Sequence, residues 1–370
     1  LKYAIDVLAV LGVVILLVIT HELGHFTAAK LVGIKVTEFF VGFGPRIWSI
    51  RRGETEYGIK WLLVGGYVKI LGMNPDEEVS EEDYSRSYRG SPIWKRAVVI
   101  FSGSLVHLLL ALLIIFTAIW VLGIPVYEAG TTVAEVALTL PDGGGDSPAA
   151  LAGLRVGDRI LEIGGEQVSG WEQIREFILE HPGEEVALKV EREGELLTLQ
   201  ARLARRDDGA GYLGVSPRAE RVGEEKYGFA GALGETGEWF GRASYGVAYS
   251  FYRLFTPAVW KQLLGISSPT VDRPVTVVGA SRIAGEFAQE GAFFFLNFLA
   301  FILLFLAYVN LLPLPPLDGG YLLVLLVEKL RGRPVDLRKL YPIAVAVLAF
   351  FGVLFLLTLR LDITNPINLP

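Results

Sequence analysis

The sequence predicts a polytopic α-helical membrane protein with four transmembrane helices, a membrane-associated β-loop and an inserted α+β domain. Three observations carry this. The 370 residues are 52% hydrophobic, with a mean hydropathy of +0.45, too apolar for an ordinary soluble enzyme. Four segments approach the roughly 20 apolar residues that cross a hydrocarbon core. Between the second and third of them lies a long polar stretch, Gly123–Glu290, with the punctuation of strands, turns and an amphipathic helix.

The first span runs from Ala4 to Ala29. No small-residue cleavage site follows it, so it is read as retained and not as a signal peptide. The second, Ala97–Leu122, and the third, Gly291–Leu312, contain no Asp, Glu, Lys or Arg, and the fourth is Tyr341–Leu359. A fifth apolar segment, Trp239–Trp260, is broken by Arg242 and Arg253 and is too short to span. Its aromatic residues suit either a helix at the headgroup level or a core helix of the polar domain.

Inside the first span stands His21-Glu22-Leu23-Gly24-His25. On a helix, residues i and i+4 share a face one turn apart, so both imidazoles can reach one metal ion. Glu22 lies beside the first of them, where it can hold a water and act as general base, the arrangement of a zinc hydrolase. Ionisable groups in a span are expensive, so this cluster reads as a functional site and not as two solvated histidines.

Composition excludes several alternatives. The net charge is −6 and no Lys/Arg-rich stripe exists, which argues against a nucleic-acid partner. There is no cysteine, so any metal must be held by histidine and carboxylate, and only His21, His25, His107 and His181 are available. Orientation follows from the short loops. Lys30–Arg96 carries 11 Lys/Arg and Pro313–Leu340 carries five, whereas the terminal flanks carry Lys2 and Arg360. Basic short loops remain in the cytoplasm. Both termini and Gly123–Glu290 are then expected outside, with the metal cluster in the membrane toward the cytoplasmic side.

After the first span, Ile34–Phe40, Ile47–Ile50 and Glu56–Leu63 read as strands punctuated by Gly42–Pro45, Arg52-Gly53 and Gly65-Gly66. They form either a cytosolic hairpin or a β-loop folded back beside the site, where an open edge could bind an extended substrate. Asp76–Asp83, with six acids in eight residues, reads as a solvated linker. In the second span, Ser102-Gly103-Ser104 suits close helix packing. His107 must face the bundle, and a hydrogen bond to another helix is its expected use. The third span ends in Asn310-Leu-Leu-Pro-Leu-Pro-Pro-Leu-Asp318-Gly-Gly. The prolines break the helix. Asp318 follows a long uncharged run at the depth of His21 and His25. It reads as a helix N-cap or as the third ligand of a His-His-carboxylate shell, and the two are compatible.

The polar stretch contains Ser147-Pro-Ala-Ala-Leu-Ala-Gly-Leu154 and Gly157-Asp-Arg-Ile-Leu-Glu-Ile-Gly-Gly165, then an amphipathic helix at Trp171–Glu180 and paired strands at Glu185–Glu191 and Glu195–Leu203. Thr131–Leu203 thereby resembles the PDZ domains of bacterial proteases, which implies a peptide-binding or access-controlling module. Gly211–Val215 falls after the last expected strand, and reads either as a carboxylate-binding loop or as the connection back to the membrane.

HELGH in the first span combined with NLLPLPPLDGG in a later one resembles the site-2 protease family of intramembrane zinc metalloproteases, peptidase family M50. The PDZ insertion points to its regulator of sigma-E protease branch. The resemblance implies one Zn2+ per chain on His21, His25 and Asp318, with Glu22 as the catalytic base. It implies that Asn310 holds the substrate backbone and that the Gly33–Leu71 loop, through Gly65 and Gly66, presents it as a strand. The implied substrates are single-span membrane proteins, such as anti-sigma factors or signal-peptide remnants, in the bacterial inner membrane. Two departures stand out: Gly103-Ser-Leu-Val-His107 replaces the family's Gly-Pro-x-x-Asn, and one PDZ is present instead of two. The implied division is 1–30 first span, 31–96 β-loop and linker, 97–123 second span, 128–206 PDZ, 207–290 membrane-facing region, 291–316 third span, 317–340 loop and 341–360 fourth span. A PDZ membrane scaffold with a structural metal is the alternative; it would have no need of Glu22.

Overall fold

The computed structural model describes residues 2–140, 145–270 and 272–367; the side chains of 2–11, 14 and 64 lie outside that description, and with them the start of the first expected span. It divides into two units, residues 1–122 with 227–370, and residues 123–226.

In the first unit, α1 (Lys2–Leu31) is one continuous helix of 30 residues. It stops where Gly33 takes φ +81°, a left-handed conformation that costs other residues steric strain. Strands β1 (Val36–Arg52) and β2 (Thr55–Ile70) follow. Arg52-Gly53 forms the expected turn between the two strands, whereas Gly42–Pro45 and Gly65-Gly66 are bends within them. Residues 38–41 are paired on both sides, with 66–69 and with 56–59, and the register shifts repeatedly. At Gly42 (φ +92°) the fold demands glycine, because a Cβ would lie 2.7 Å from the Lys60 carbonyl oxygen. The short turn α2 (Glu81–Tyr84) leads to α3 (Ile93–Thr117), whose helix continues as a π-turn over Ala118–Leu122.

The acidic run is more than a solvated linker. Asp76 pairs with Arg338 at 2.6 Å, Asp83 with Lys35 at 2.6 Å, and Glu77 accepts from the Gly72 N–H at 2.7 Å. Such surface contacts add little energy singly, but they fix where the loop returns to α3. Beneath it, Ala29, Ile34, Val99, Ile100 and Leu325 form a shared core of buried residues.

The second unit is a sheet domain. Its elements are β3 (Ile124–Val136), α4 (Pro148–Leu151), β4 (Arg159–Ile163), β5 (Glu166–Gln167), α5 (Trp171–Glu180), β6 (Glu185–Arg192), β7 (Glu195–Arg202), β8 (Ala204–Arg205), β9 (Gly211–Tyr212) and β10 (Val215–Glu225). The sheet order is β10-β3-β4-β6-β7, with β5 paired to β4. Alternating residues of β6 (Val186, Leu188, Val190) pack with Ile160, Ile163 and Ile174 in its core. The unit runs further than the expected 128–206. Residues 215–225 pair along β3 and take in sequence assigned to a membrane-facing region. Pro217, Gly223 and a run of charges hide that strand from pattern reading.

The first unit resumes with α6 (Phe229–Leu254), α7 (Pro257–Leu263), α8 (Val277–Glu290), α9 (Ala292–Asn310), α10 (Asp318–Arg331) and α11 (Tyr341–Thr364). Helix α6 packs on α9, with Phe251 stacked on Phe305 and the Tyr308 hydroxyl donating to Ser244 Oγ at 3.0 Å. It is therefore not a core helix of the sheet domain. Arg273 and Asp362 form a buried pair at 2.7 Å, and the second Asp362 oxygen accepts from the Thr276 hydroxyl and the Thr276 and Gly279 N–H groups. Every polar atom of that carboxylate is used, as burial requires. Three helices among the described residues are long and apolar enough to cross a membrane: Ile93–Leu122, Ala292–Asn310 and Leu337–Thr364.

In the sheet domain, Asp158 is fully buried and accepts two bonds from Arg192 and one from the Arg155 N–H. Burial raises its carboxyl pKa, but the Arg192 and Arg155 bonds outweigh burial and hold the group below its ordinary value. A carboxyl depressed in the folded state contributes stability above its unfolded pKa, and that contribution is lost as the pH falls through the folded value. Acid unfolding of the sheet signal, followed by circular dichroism, should therefore lose much of its slope below about pH 4 in Asp158→Asn. An unchanged slope would show that another carboxyl governs it.

Candidate metal centre

Helix α1 presents His21 and His25 one turn apart, with their Nε2 atoms 3.1 Å from each other. The Asp318 Oδ2 atom lies 3.2 Å from His21 Nε2 and 3.4 Å from His25 Nε2. Three ligand atoms bound to one ion at about 2.0–2.1 Å in a tetrahedron are separated by about 3.3 Å. The observed triangle fits that requirement. Among the described residues, these three form the one group of three or more His, Asp or Glu side chains able to hold a metal ion together. The His21 and Asp318 side chains keep 12% and 17% exposure. The cluster is lined but not sealed, as a centre that must admit water requires.

Local sequence explains the convergence. Asp318 opens α10 directly after the Leu311–Leu317 turn. A Cβ on Gly319 would lie 2.1 Å from the Leu311 carbonyl oxygen, and one on Gly320 would lie 2.5 Å from Pro315 N. The two glycines let the helix fold back onto the proline turn and aim its first residue at α1. On the other side, α1 and α3 meet backbone to backbone. A Cβ on Gly24 would lie 2.6 Å from the Ser102 carbonyl oxygen; one on Gly103 would lie 2.5 Å from His25 Nε2 and 2.8 Å from His21 Nε2.

Hydrogen bonds orient the ligands. His25 Nδ1 lies 2.8 Å from the Val99 carbonyl, which can only accept. The Nδ1–H therefore donates, and the Nε2 lone pair faces Asp318 and His21. The Asn310 amide lies 3.5 Å from His21 Nδ1. Glu22 borders the β-loop: a Cβ on Gly66 would lie 3.7 Å from Glu22 Cγ. Gly66 thus sits beside the expected base, while Gly65 lies under the Phe43 ring. Lys30 and Arg86 both bond Glu54 and tie the β1–β2 turn to the end of α1.

His107 stands outside the cluster. Its Nε2 donates to the Leu17 carbonyl of α1 at 2.8 Å, the inter-helix bond its sequence position led us to expect. His181 is structural, with Nδ1 on the Phe177 carbonyl and its ring stacked on Phe177. Sequence reasoning missed the Val99 carbonyl, since backbone acceptors leave no trace in residue type. It found the small residues at 102–104 but not that they face HELGH. A methyl group at position 103 has no room. Gly103→Ala should lower metal affinity by about 10–100-fold, the range for disturbed ligand supports. Chelator competition would measure it, and wild-type affinity would mean that α3 moves away without cost.

The model of "Peptidase family M50" matches residues 9–359. A Mycobacterium tuberculosis protein named "Zinc metalloprotease Rip1" is 34% identical, covering 96% of each chain. A "Putative zinc metalloprotease" of Clostridium perfringens is 31% identical over 95% of this chain and 96% of its own. Among solved structures, a PDZ domain of an SdrC-like protein from Listeria innocua matches 26% of this chain and 99% of its own, with 19% identity and a TM-score of 0.19. The chain belongs to peptidase family M50 and is a membrane metalloprotease.

Proposed function

We propose that the chain is a zinc-dependent endopeptidase that cuts single-span membrane proteins within or near the bilayer. One observation carries the reading: Glu22, a carboxylate with no counter-cation of its own in α1, lies between the convergent His21, His25 and Asp318 atoms and a β-strand backbone. A scaffold with a structural metal has no use for that carboxylate.

One zinc ion held by His21, His25 and Asp318 would supply Lewis acidity for the scissile carbonyl and for a water molecule. Glu22 takes the proton from that water as its oxygen adds to the carbonyl carbon, and returns the proton to the departing amine as the C–N bond breaks. A transmembrane substrate must first be unwound, because its carbonyls are engaged in helical bonds. Strand addition beside Gly65 and Gly66 of β2 supports the unwound form, and Asn310 holds its freed backbone. Anti-sigma factors and signal-peptide remnants are the substrate classes this reading favours.

The topology belongs to the same proposal. Helix α1 is the first of four spans, the metal centre lies toward the cytoplasmic side of the bacterial inner membrane, and both termini and residues 123–226 lie outside. Within this proposal we keep the division read from the sequence and widen the outer unit to 123–226. We read that unit as a PDZ domain. The support is its own sheet order, the helix α5 and the SPAALAGL–GDRILEIGG sequence. It binds an extended peptide or excludes substrates with large outer domains.

Glu22→Gln is expected to keep wild-type zinc content and lose about 10²–10⁴-fold in cleavage of a single-span peptide in detergent. Equal cutting by both proteins would sink the assigned base; zinc with no cutting of any substrate would favour the scaffold. Replacing residues 123–226 by a short flexible linker should extend cleavage to substrates that retain a folded outer domain. Unchanged selectivity would remove the filter role.

A further inference from the structure

Three residues of α3, spaced four apart, touch the metal-binding helix from one face. The Val99 carbonyl orients His25, Gly103 leaves room for both imidazoles, and His107 donates to the Leu17 carbonyl. Leu17 lies one turn before His21. Its carbonyl is the one a regular helix pairs with the His21 N–H, and it also accepts the Thr20 hydroxyl at 2.8 Å. It has no need of a further donor. The His107 side chain is 2% exposed, its ring centre is 5.1 Å from that of His21, and Nδ1 has no hydrogen-bond partner. An apolar residue would fill this place without burying an unpaired nitrogen, which costs on the order of 1–3 kcal/mol. The bond therefore does something other than satisfy a carbonyl.

We infer that His107 is a positioning residue for the metal centre: by holding the Leu17 carbonyl it sets the rotation and tilt of the α1 turn that carries His21. The inference rests on the metal reading of His21, His25 and Asp318. Val99 and His107 grip α1 on either side of Gly103, so the close approach at the glycine has a fixed direction. Without the upper grip, α1 can rotate about the Gly24–Gly103 contact, and His21 Nε2 leaves the triangle while His25 stays anchored. His107 itself is not a ligand, since its Nε2 is committed and it stands outside the ligand cluster.

The test compares His107→Leu, which fills the space without a donor, with His107→Gln, whose Nε2–H reaches as far as the imidazole Nε2–H. Full-length protein in detergent would be loaded with Co2+ for its visible ligand-field bands and titrated with zinc against a chelator. Expected for His107→Leu are a zinc affinity about 10–100-fold weaker, a Co2+ spectrum altered in energy and intensity, and a fall in kcat with KM unchanged. His107→Gln should keep the wild-type spectrum and an affinity within about threefold of wild type, far less than that loss. If His107→Leu does not fold, His107→Met against His107→Gln gives the same comparison. Wild-type spectrum and affinity in the Leu or Met variant would overturn the inference, as would a Gln variant that falls as far as they do. A wild type that takes up no Co2+ overturns the metal reading and this inference together. Normal uptake with indifferent variants overturns this inference alone.

Discussion

A close approach between two helices governs the site. Helices α1 and α3 meet at Gly24 and Gly103 with no side chain between them, at the level of the two imidazoles. Small residues at a helix–helix contact let the two backbones pack closely. That packing brings the Val99 carbonyl within 2.8 Å of His25 Nδ1. The imidazole orientation, and with it the possibility of a shared metal ion, follows from a contact that two missing side chains permit.

Buried polar groups impose the second constraint. Each must find a partner or cost several kcal/mol. The β-loop meets this by pairing residues 38–41 on both sides, and Gly66 of β2 lies beside Glu22. The strand backbone thereby becomes part of the wall of the centre. At the far end of α11, Asp362 is satisfied by Arg273, Thr276 and Gly279 together. Irregular segments are thus held to the helices by hydrogen bonds as well as by apolar burial.

Much of this was legible in the sequence, and the reason differs by element. HELGH was readable because a helix fixes the i to i+4 relation locally. Asp318 was readable because a lone carboxylate after an uncharged run demands a partner. The sheet domain's core strands were readable from alternation in Val186–Val190. Strand β10 was not, because Pro217 and Gly223 interrupt the pattern and its pairing partner, β3, lies far upstream, at Ile124–Val136. The acidic run at Asp76–Asp83 looked like a solvated linker, since charge complementarity to Arg338 and Lys35 depends on where the chain returns.

The sequence by itself determined the inventory: which residues can hold a metal, which can move a proton, and that the setting is a membrane. These are properties of residue type, spacing and run length. Only the tertiary structure decided which backbone atoms and empty spaces complete the site, such as the Val99 carbonyl and the gap at Gly103. Every residue carries a carbonyl and an N–H, so their use is set by which helices come together, and that is a property of the whole packed chain.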